Sequence, residues 1–503
     1  MPNLIGYISS SIARDSLVGA GRKCVSGSAF KLPTARKFNS GRANSQWQAL
    51  TWTTQHPDRV TPENIAPSFA HFAVSQATTV PILFASPEFT AWTEPTGSLL
   101  PRWVTPLLDH VHAGDAPKVA YTIAAVVDKI SGNNDAREGL SLLLADSSHV
   151  TASIATPARL KSNASEEPAF FLTTNVDRSS QSSHEVGLRL ARTVFRNGRD
   201  RTLLGMRWTR DEPSNSYILD GYHDLSSCSV TSPVHEACCA VNVPFHPVTQ
   251  RRRVISSMGN ILRQVSKSTT DDGMSAGIPA SSELEKELPR YVNERGIPHQ
   301  RVAVWALVEP STSSMTNTSD RDVQGLLIKG SKLHRVVSGG GGWGKKQGLL
   351  SLDPEVSFGG ANRLSREASL DQTFASSTET PAAATDFPDF LEGLGLEENI
   401  SSLSQVAPPG DYIQFFVTSE SDNTIPSRIK SKPRTLTYSF GVDAPDESTE
   451  TSPTASGDIT VLQNHFGAVS ESAISYSRKD LSGEAQCETK ISVPGSRINL
   501  SIV

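Results

Sequence analysis

A glycine-rich element in the second half of the chain contains the residue types best suited to holding a ligand. Consecutive glycines tolerate positive φ, so successive backbone N–H groups can converge on one anion. A lysine that follows them supplies a compensating positive charge. We therefore predict that this element binds a partner or an anionic ligand. Its residues are Gly339, Gly340, Gly341, Gly342, Trp343, Gly344, Lys345 and Lys346.

The element matches part of a P-loop, the phosphate-binding loop of many nucleotide-binding enzymes. Its glycines and first lysine fit the first seven positions, but Lys346 stands where Ser or Thr would bind Mg²⁺. Gly348 and Pro354 closely bound the residues that follow, which disfavours the helix whose N-terminus would hold the phosphate. Two interpretations remain beside the P-loop. One is a backbone cradle for another anion or cofactor, and the other is a tight turn anchored by the tryptophan.

Cysteines and histidines cluster between residues 223 and 246, and zinc prefers thiolate and imidazole ligands. His235 and Cys238 have a usable ligand spacing, and His246 follows them. Adjacent Cys238 and Cys239 rarely bind one ion together, because neighbouring side chains diverge. The candidate metal ligands are therefore His235, Cys238 and His246. The alternative is that the cysteines are buried structural residues, and the cofactor stays unknown.

Two clusters of arginine form a candidate basic patch, since the guanidinium group suits phosphate. RNA association through these clusters is one hypothesis, and two solvated faces are the alternative. The first 57 residues hold seven basic residues and one acidic residue, so the rest of the chain carries a formal charge of −11 rather than −5. Such a charge disfavours unselective binding of polyanions. The clusters are Arg189, Arg192 and Arg196, and Arg251, Arg252 and Arg253.

No complete catalytic constellation is present in the sequence. It contains no Gly-x-Ser-x-Gly elbow, no dinucleotide fingerprint with a downstream acid at the required distance, and no set of kinase motifs. We therefore nominate no catalytic residue, and the sequence leaves open whether the protein is an enzyme.

The N-terminal segment is basic, rich in serine and nearly free of acidic residues, which is typical of an organelle transit peptide. We predict that residues 1–45 are disordered and direct the protein to the mitochondrial matrix. An ordinary basic tail on a cytoplasmic protein is the alternative. The longest apolar run, 119–127, is far shorter than the roughly 20 residues that cross a bilayer, so no transmembrane segment is expected.

The elements that would position these groups alternate between strand and helix patterns. Over 46–309 they predict a mixed α/β or α+β core, with helices at 184–196 and 249–266. Over 322–503 they predict a β-rich C-terminal part that contains the glycine-rich element and begins with a strand at 325–329. Long insertions lack apolar periodicity and are expected to be disordered. These insertions lie near 360–387, 420–433 and 443–457.

From these observations we predict that the chain is a binding or assembly protein of an organelle matrix. Its partner is an unknown protein or a phosphate-bearing ligand, held by the glycine-rich element. An enzyme that binds a phosphate-bearing cofactor or nucleotide over residues 339–346 is the first alternative. An RNA-associated protein that uses the arginine clusters is the second.

A panel of nucleotides and other phosphate ligands tests the enzyme alternative. If Lys345 and Lys346 hold a phosphate, one of these ligands should raise the thermal midpoint, because a ligand stabilises the state that it binds. The shift should disappear in Lys345→Ala and Lys346→Ala. No response to any phosphate ligand would contradict a nucleotide site at this element.

Overall fold

The computed structural model describes most of the chain beyond residue 46. Every described residue belongs to one compact unit, Ser45–Val503. The transit-like segment and much of the three predicted insertions lie outside the described residues. The described ranges are 47–73, 79–113, 116–132, 136–155, 168–175, 182–194, 198–199, 201–232, 237–268, 276–295, 302–311, 323–339, 348–358, 363–375, 405–418, 435–444, 459–480 and 485–502.

Strands dominate the architecture, which corrects the expectation of a mixed α/β or α+β core. In the described part of the chain 52% of the residues are in strands and 21% are helical, and one sheet closes into a six-stranded barrel. In chain order the strands are β1 (Gln48–Thr54), β2 (Thr79–Ala85), β3 (Val119–Val126), β4 (Lys129–Ser131), β5 (Ala136–Asp146), β6 (Val150–Ile154), β7 (Ala169–Asn175), β8 (Ser182–Arg189), β9 (Leu203–Asp211), β10 (Ser216–Ser232), β11 (Ala237–Asn242), β12 (Phe245–Pro247), β13 (Arg252–Met258), β14 (Ile261–Ser266), β15 (Gly277–Pro279), β16 (Val304–Glu309), β17 (Lys332–Gly339), β18 (Leu350–Leu352), β19 (Ala368–Ser369), β20 (Tyr412–Thr418), β21 (Leu436–Val442), β22 (Thr460–Gln463), β23 (His465–Ser470), β24 (Ile474–Asp480), β25 (Ala485–Ile491) and β26 (Arg497–Ile502).

The helices are few and mostly short. They are α1 (Pro62–Ile65), α2 (Leu99–Val111), α3 (Ser282–Arg295), α4 (Val323–Ile328), α5 (Arg363–Arg366) and α6 (Leu370–Ala375), with 3-10 turns at Pro57–Arg59, Ala66–His71, Pro87–Trp92 and Ser147–His149. No helix of the described residues is long and apolar enough to cross a bilayer.

Two predicted helices are strands because a spacing of four residues fits both periods, 3.6 and 2. Val186 and Leu190 suggest a helical stripe, yet residues 182–189 form β8, in which His184, Val186 and Leu188 are buried in alternation. Residues 249–266 likewise contain the hairpin of β13 and β14 rather than a helix. Conversely, the strand predicted at 325–329 is a helix, since these residues lie in α4 and the turn after it.

A large network of strands carries most of the buried side chains. Its central strands β1, β5, β2, β3, β9 and β10 lie side by side, and only β2 and β3 among them are parallel. Side chains of β2 alternate between two cores: Ile82 and Phe84 point to one, and Leu83 points to the other, where α2 packs. A strand that is buried on both faces has a continuous run of apolar residues in its sequence. The sequence of β2 therefore resembles that of a strand in an α/β protein.

Strands from both ends of the described chain complete this network. β11 pairs with β26, and β8 pairs with β24, both antiparallel. β26 also pairs with β21, which in turn lies parallel to β23. The boundary predicted between 309 and 322 stays a prediction, while these pairings join strands from the two predicted regions in one network.

Part of the insertion predicted near 360–387 is ordered. Residues 363–375 form α5, β19 and α6, and β19 adds to β6. Arg363 forms a 2.7 Å ion pair with Glu185 of β8 and lies 3.5 Å from the centroid of the Phe171 ring. Phe374 stacks on Tyr121 at 5.4 Å between ring centroids. Charge pairing and ring packing therefore fix this segment, although its sequence lacks apolar periodicity.

The second sheet is the closed barrel. Its strands follow one another as β20, β13, β14, β18, β17 and β16, and β16 pairs again with β20. All six pairings are antiparallel, so closure leaves none of these strands with a free edge along its paired length. The barrel encloses a core to which α3 adds Leu284 and Tyr291.

The barrel shares one wall with the large network. In β16, Val304, Ala306 and Val308 point into the barrel core, whereas Trp305 and Leu307 belong to the core of the large network. β20 divides its side chains in the same way, with Phe415 and Val417 inside the barrel and Phe416 outside. These two strands join both cores into one body.

Two glycines of the network give a test of this packing. A Cβ at Gly467 of β23 would lie 2.2 Å from the Ser439 carbonyl oxygen, whereas a Cβ at Gly221 of β10 would meet nothing within 4 Å. We expect Gly467→Ala to destabilise the protein by about 2 kcal/mol or more, because a neighbouring backbone has to move. Gly221→Ala should change stability by no more than about 0.5 kcal/mol. Chemical denaturation measures both, and equal effects would contradict the assigned pairing of β21 with β23.

Candidate anion-binding site

The glycine-rich element connects two adjacent barrel strands. Gly339 ends β17 and pairs with Leu350 of β18, and residues 340–347 lie outside the described residues. A strand rather than a helix therefore follows the element, so the helix N-terminus with which a P-loop binds phosphate is not formed here. Of the predicted ligand-binding residues, only Gly339 is described.

Close packing fixes both ends of the element. A Cβ at Gly339 would lie 2.2 Å from a methyl carbon of Leu350, and a Cβ at Gly348 would lie 2.5 Å from Cβ of Pro279. Gly348 also has φ +83°, which a side chain would strain. Its carbonyl oxygen accepts a hydrogen bond from the N–H of Ser281, just before α3. Gly348 is thus required by its backbone conformation and by Pro279, whereas a side chain at Gly339 would have to displace the side chain of Leu350.

The predicted zinc ligands do not form a metal site among the described residues. His235 lies outside them, Cys238 of β11 is exposed, and the His246 ring packs on Tyr291 at 5.0 Å between centroids. No group of three potential His, Cys, Asp or Glu ligands is brought together in the part of the chain that the structure covers. The metal prediction therefore has no support in this geometry.

Cys239, rather than Cys238, belongs to a polar cluster between the sheets. The Tyr476 hydroxyl oxygen lies 2.8 Å from Nδ1 of His184 and contacts the Cys239 thiol. Burial raises the pKa of Cys239 to about 12 and lowers the pKa of His184 to about 4. At neutral pH the thiol and the imidazole are both uncharged, so this arrangement does not supply a thiolate nucleophile.

The predicted basic patch does not form one surface. Arg189 is on β8 and pairs with Glu355 at 2.6 Å, whereas the second cluster lies at the start of β13 in the barrel. There Arg251 pairs with Glu309 at 3.0 Å and Arg252 pairs with Glu283 at 3.1 Å. Carboxylates thus neutralise these arginines. Arg192 and Arg253 are exposed, and Arg196 lies outside the described residues.

A different cationic surface lies on the outside of the barrel. The four neighbouring strands β13, β14, β18 and β17 contain no aspartate and no glutamate, although the whole chain has more acidic than basic residues. We call their outer face the basic wall. The cationic residues of these strands are Arg252, Arg253, Arg263, Lys332 and Arg335.

Three arginines give the basic wall its accessible charge. Arg253, Arg263 and Arg335 are all exposed, and no carboxylate of the described residues pairs with them. Pairing across the strands aligns one outward row from Met258 through Ile261 and Ser351 to Ser338. The wall therefore combines unneutralised guanidinium groups with hydroxyl groups and a few apolar side chains, an arrangement that can hold an extended anionic partner.

A sequence signal for this wall exists in the distribution of acids. The chain contains no acidic residue from 237 to 270 and none from 323 to 352, and these two runs supply the four strands. Clusters of adjacent arginines are easier to notice in the sequence than acid-free runs, but Arg189, Arg251 and Arg252 of those clusters form ion pairs with carboxylates in the structure. The absence of acids over a long run indicates the unneutralised surface better than the presence of arginines does.

No family model matches the chain, and neither the curated proteins nor the solved structures include a significant match to it.

The cysteines differ enough in exposure and pKa to be distinguished chemically. Cys238 is exposed, whereas Cys228 and Cys487 are buried and burial raises the pKa of each. Among the four described cysteines we expect iodoacetamide at mildly alkaline pH to alkylate Cys238 before Cys228, Cys239 and Cys487 in the folded protein, because thiolate access sets the rate. Peptide mass spectrometry measures this order, and denatured protein serves as the control. Alkylation of Cys239 as fast as Cys238 would contradict the assignment of the buried thiol cluster.

Proposed function

We propose that this chain is a binding or assembly protein that holds an anionic partner on its basic wall. The observation that carries the proposal is a local separation of charge: four adjacent strands contain five cations, of which Arg252 pairs with Glu283 of α3, and no acids, on a chain of formal charge −5. A local field of one sign attracts a partner of opposite charge, even where the net charge of the protein repels it.

Arginine is the residue that this surface uses most. A guanidinium group binds phosphate or carboxylate with two parallel hydrogen bonds, which a lysine ammonium does not offer. Arg263 and Arg335 lie on β14 and β17, on either side of β18, so a partner crossing the wall meets both. The partner is therefore an extended anion rather than a single small ion.

The glycine-rich element is part of this proposal because both of its ends join strands of the basic wall. Residues 340–347 link β17 to β18, two strands of the basic wall, and the sequence of the link adds Lys345 and Lys346. We propose that the link contributes charge to the same partner. The basic, serine-rich N-terminal segment supports the further proposal that this binding occurs in the mitochondrial matrix.

Inorganic polyphosphate, a flexible anion without bases or acyl chains, tests the wall. The Arg263→Gln/Arg335→Gln variant should bind it less tightly, and the slope of log affinity against log salt should become shallower by about two, since each lost contact retains its counterion. Exposed side chains make the fold insensitive to these changes. Fluorescence anisotropy at several salt concentrations measures the slope.

A matched variant separates the wall from net charge. Arg102→Gln/Lys118→Gln removes the same charge from exposed positions on α2 and just before β3. It should leave the affinity and the slope unchanged. A protein that does not bind polyphosphate, or a control variant that weakens binding as much as the wall variant does, would refute the proposed site.

A further inference from the structure

The basic wall also carries the two most exposed large apolar side chains in the described part of the chain. Val337 is 65% exposed and Met258 is 60% exposed, while the next, Ile218, is 52% exposed. Both wall residues are aliphatic. Isolated exposed apolar residues are ordinary, but their coincidence with these acid-free, arginine-bearing barrel strands points to one surface with two properties.

Pairing places Met258 on the outer face, and Val337 is exposed there because it lies in the bulge between Val336, which packs on the barrel core, and Ser338. Met258 is opposite Ile261, Ile261 is opposite Ser351, and Ser351 is opposite Ser338, the residue next to Val337. Leu262 and Leu350, one position away on β14 and β18, point into the barrel core instead. Met258 and Val337 therefore stand on the wall near its two sides, with the serines between them.

Cations accompany the apolar side chains. Arg335 precedes Val337 by two residues on β17, and Arg263 follows Ile261 by two residues on β14. Both arginines are exposed and have no carboxylate partner among the described residues. The outer face of a closed barrel is convex, so this surface presents apolar and cationic side chains outward together.

We propose that the basic wall docks on the surface of an anionic lipid bilayer. This inference rests on the proposed function and names the partner. The arginines bind lipid phosphates, and Met258 and Val337 enter the region between the headgroups and the acyl chains, where an aliphatic group leaves water. Such peripheral binding needs both the attraction of the arginines to lipid phosphates and the burial of the apolar side chains, because each contribution is small by itself.

Lipid explains the surface better than nucleic acid does. Single-stranded nucleic acids are held by stacking of bases on aromatic rings, and the four wall strands contain no phenylalanine, tyrosine or tryptophan. A nucleic acid also gives no favourable environment to an exposed valine or methionine. The two apolar residues therefore distinguish a bilayer from every purely ionic partner.

Vesicle sedimentation with the full chain tests the proposal. We expect binding to phosphatidylcholine vesicles that contain about one third phosphatidylglycerol, and none to phosphatidylcholine alone, since the anionic lipids supply the surface potential. Arg263→Gln/Arg335→Gln should bind roughly thirtyfold less tightly, as each cation near the surface contributes about fivefold. Soluble glycerol phosphate should not displace the protein, because it lacks the acyl region.

The apolar variant gives the decisive comparison. Met258→Ser/Val337→Ser should bind the anionic vesicles about tenfold less tightly, since half-exposed side chains lose part of their transfer free energy, yet it should bind polyphosphate like the original protein. Ile218→Ser/Val461→Ser, which removes exposed apolar groups from β10 and β22, should change neither affinity. Thermal midpoints of all variants verify that they fold.

The results separate this inference from the proposed function. Binding of polyphosphate without binding of anionic vesicles would overturn the lipid assignment and leave the anion-binding wall intact. An apolar variant that binds vesicles as tightly as the original protein would also overturn it, as would displacement by glycerol phosphate. Failure to bind either polyphosphate or vesicles would overturn both.

Discussion

The structure depends on two strands that are buried on both faces. β16 and β20 send alternate side chains into the barrel core and into the core of the large network, so each strand is a shared wall. Burying a large apolar side chain adds about 1.5–3 kcal/mol to the free energy of unfolding. In β16 and β20 the side chains on both faces make this contribution. The strands β13, β14 and β18, and β17 from Arg335 onward, present an outer face on which the exposed arginines lie, whereas Leu333 of β17 still belongs to the core of the large network.

The position of each barrel arginine relative to the shared strands determines whether it has a carboxylate partner. Arginines near the shared wall and near α3 have carboxylate partners, as Arg251 has Glu309 and Arg252 has Glu283. The other arginines of the outer strands, Arg253, Arg263 and Arg335, have none among the described residues. Half-buried guanidinium groups need a partner because desolvation is costly, whereas exposed ones keep their water. Burial therefore decides which arginines are neutralised and which stay available to a partner.

The sequence predicts single elements better than it predicts their assembly. The buried residues of α2 recur every three or four positions and those of α3 lie seven apart, so local spacing marks both helices. β8 was expected as a helix because Val186 and Leu190 are four residues apart, a spacing that does not separate the two periods. Barrel closure depends on pairs such as Trp305 with Arg335 and Leu262 with Leu350, which local patterns do not encode.

The candidate site shows the same division. The glycine-rich element was recognised from its composition, but its role as the link between β17 and β18 follows from pairing of Gly339 with Leu350. The arginine triplet at 251–253 suggested phosphate, yet two of its members contact glutamates that are distant in sequence. The acid-free runs are visible in the sequence, and only the fold brings them side by side.

The pairing of β8 with β24 and of β11 with β26 has a consequence for biosynthesis. A ribosome releases the first eleven strands long before the last three, with the whole barrel emerging in between. The early strands must wait with exposed hydrogen-bonding edges until residue 497 and its neighbours leave the exit tunnel. Such late, non-local closure slows folding and leaves intermediates prone to aggregation.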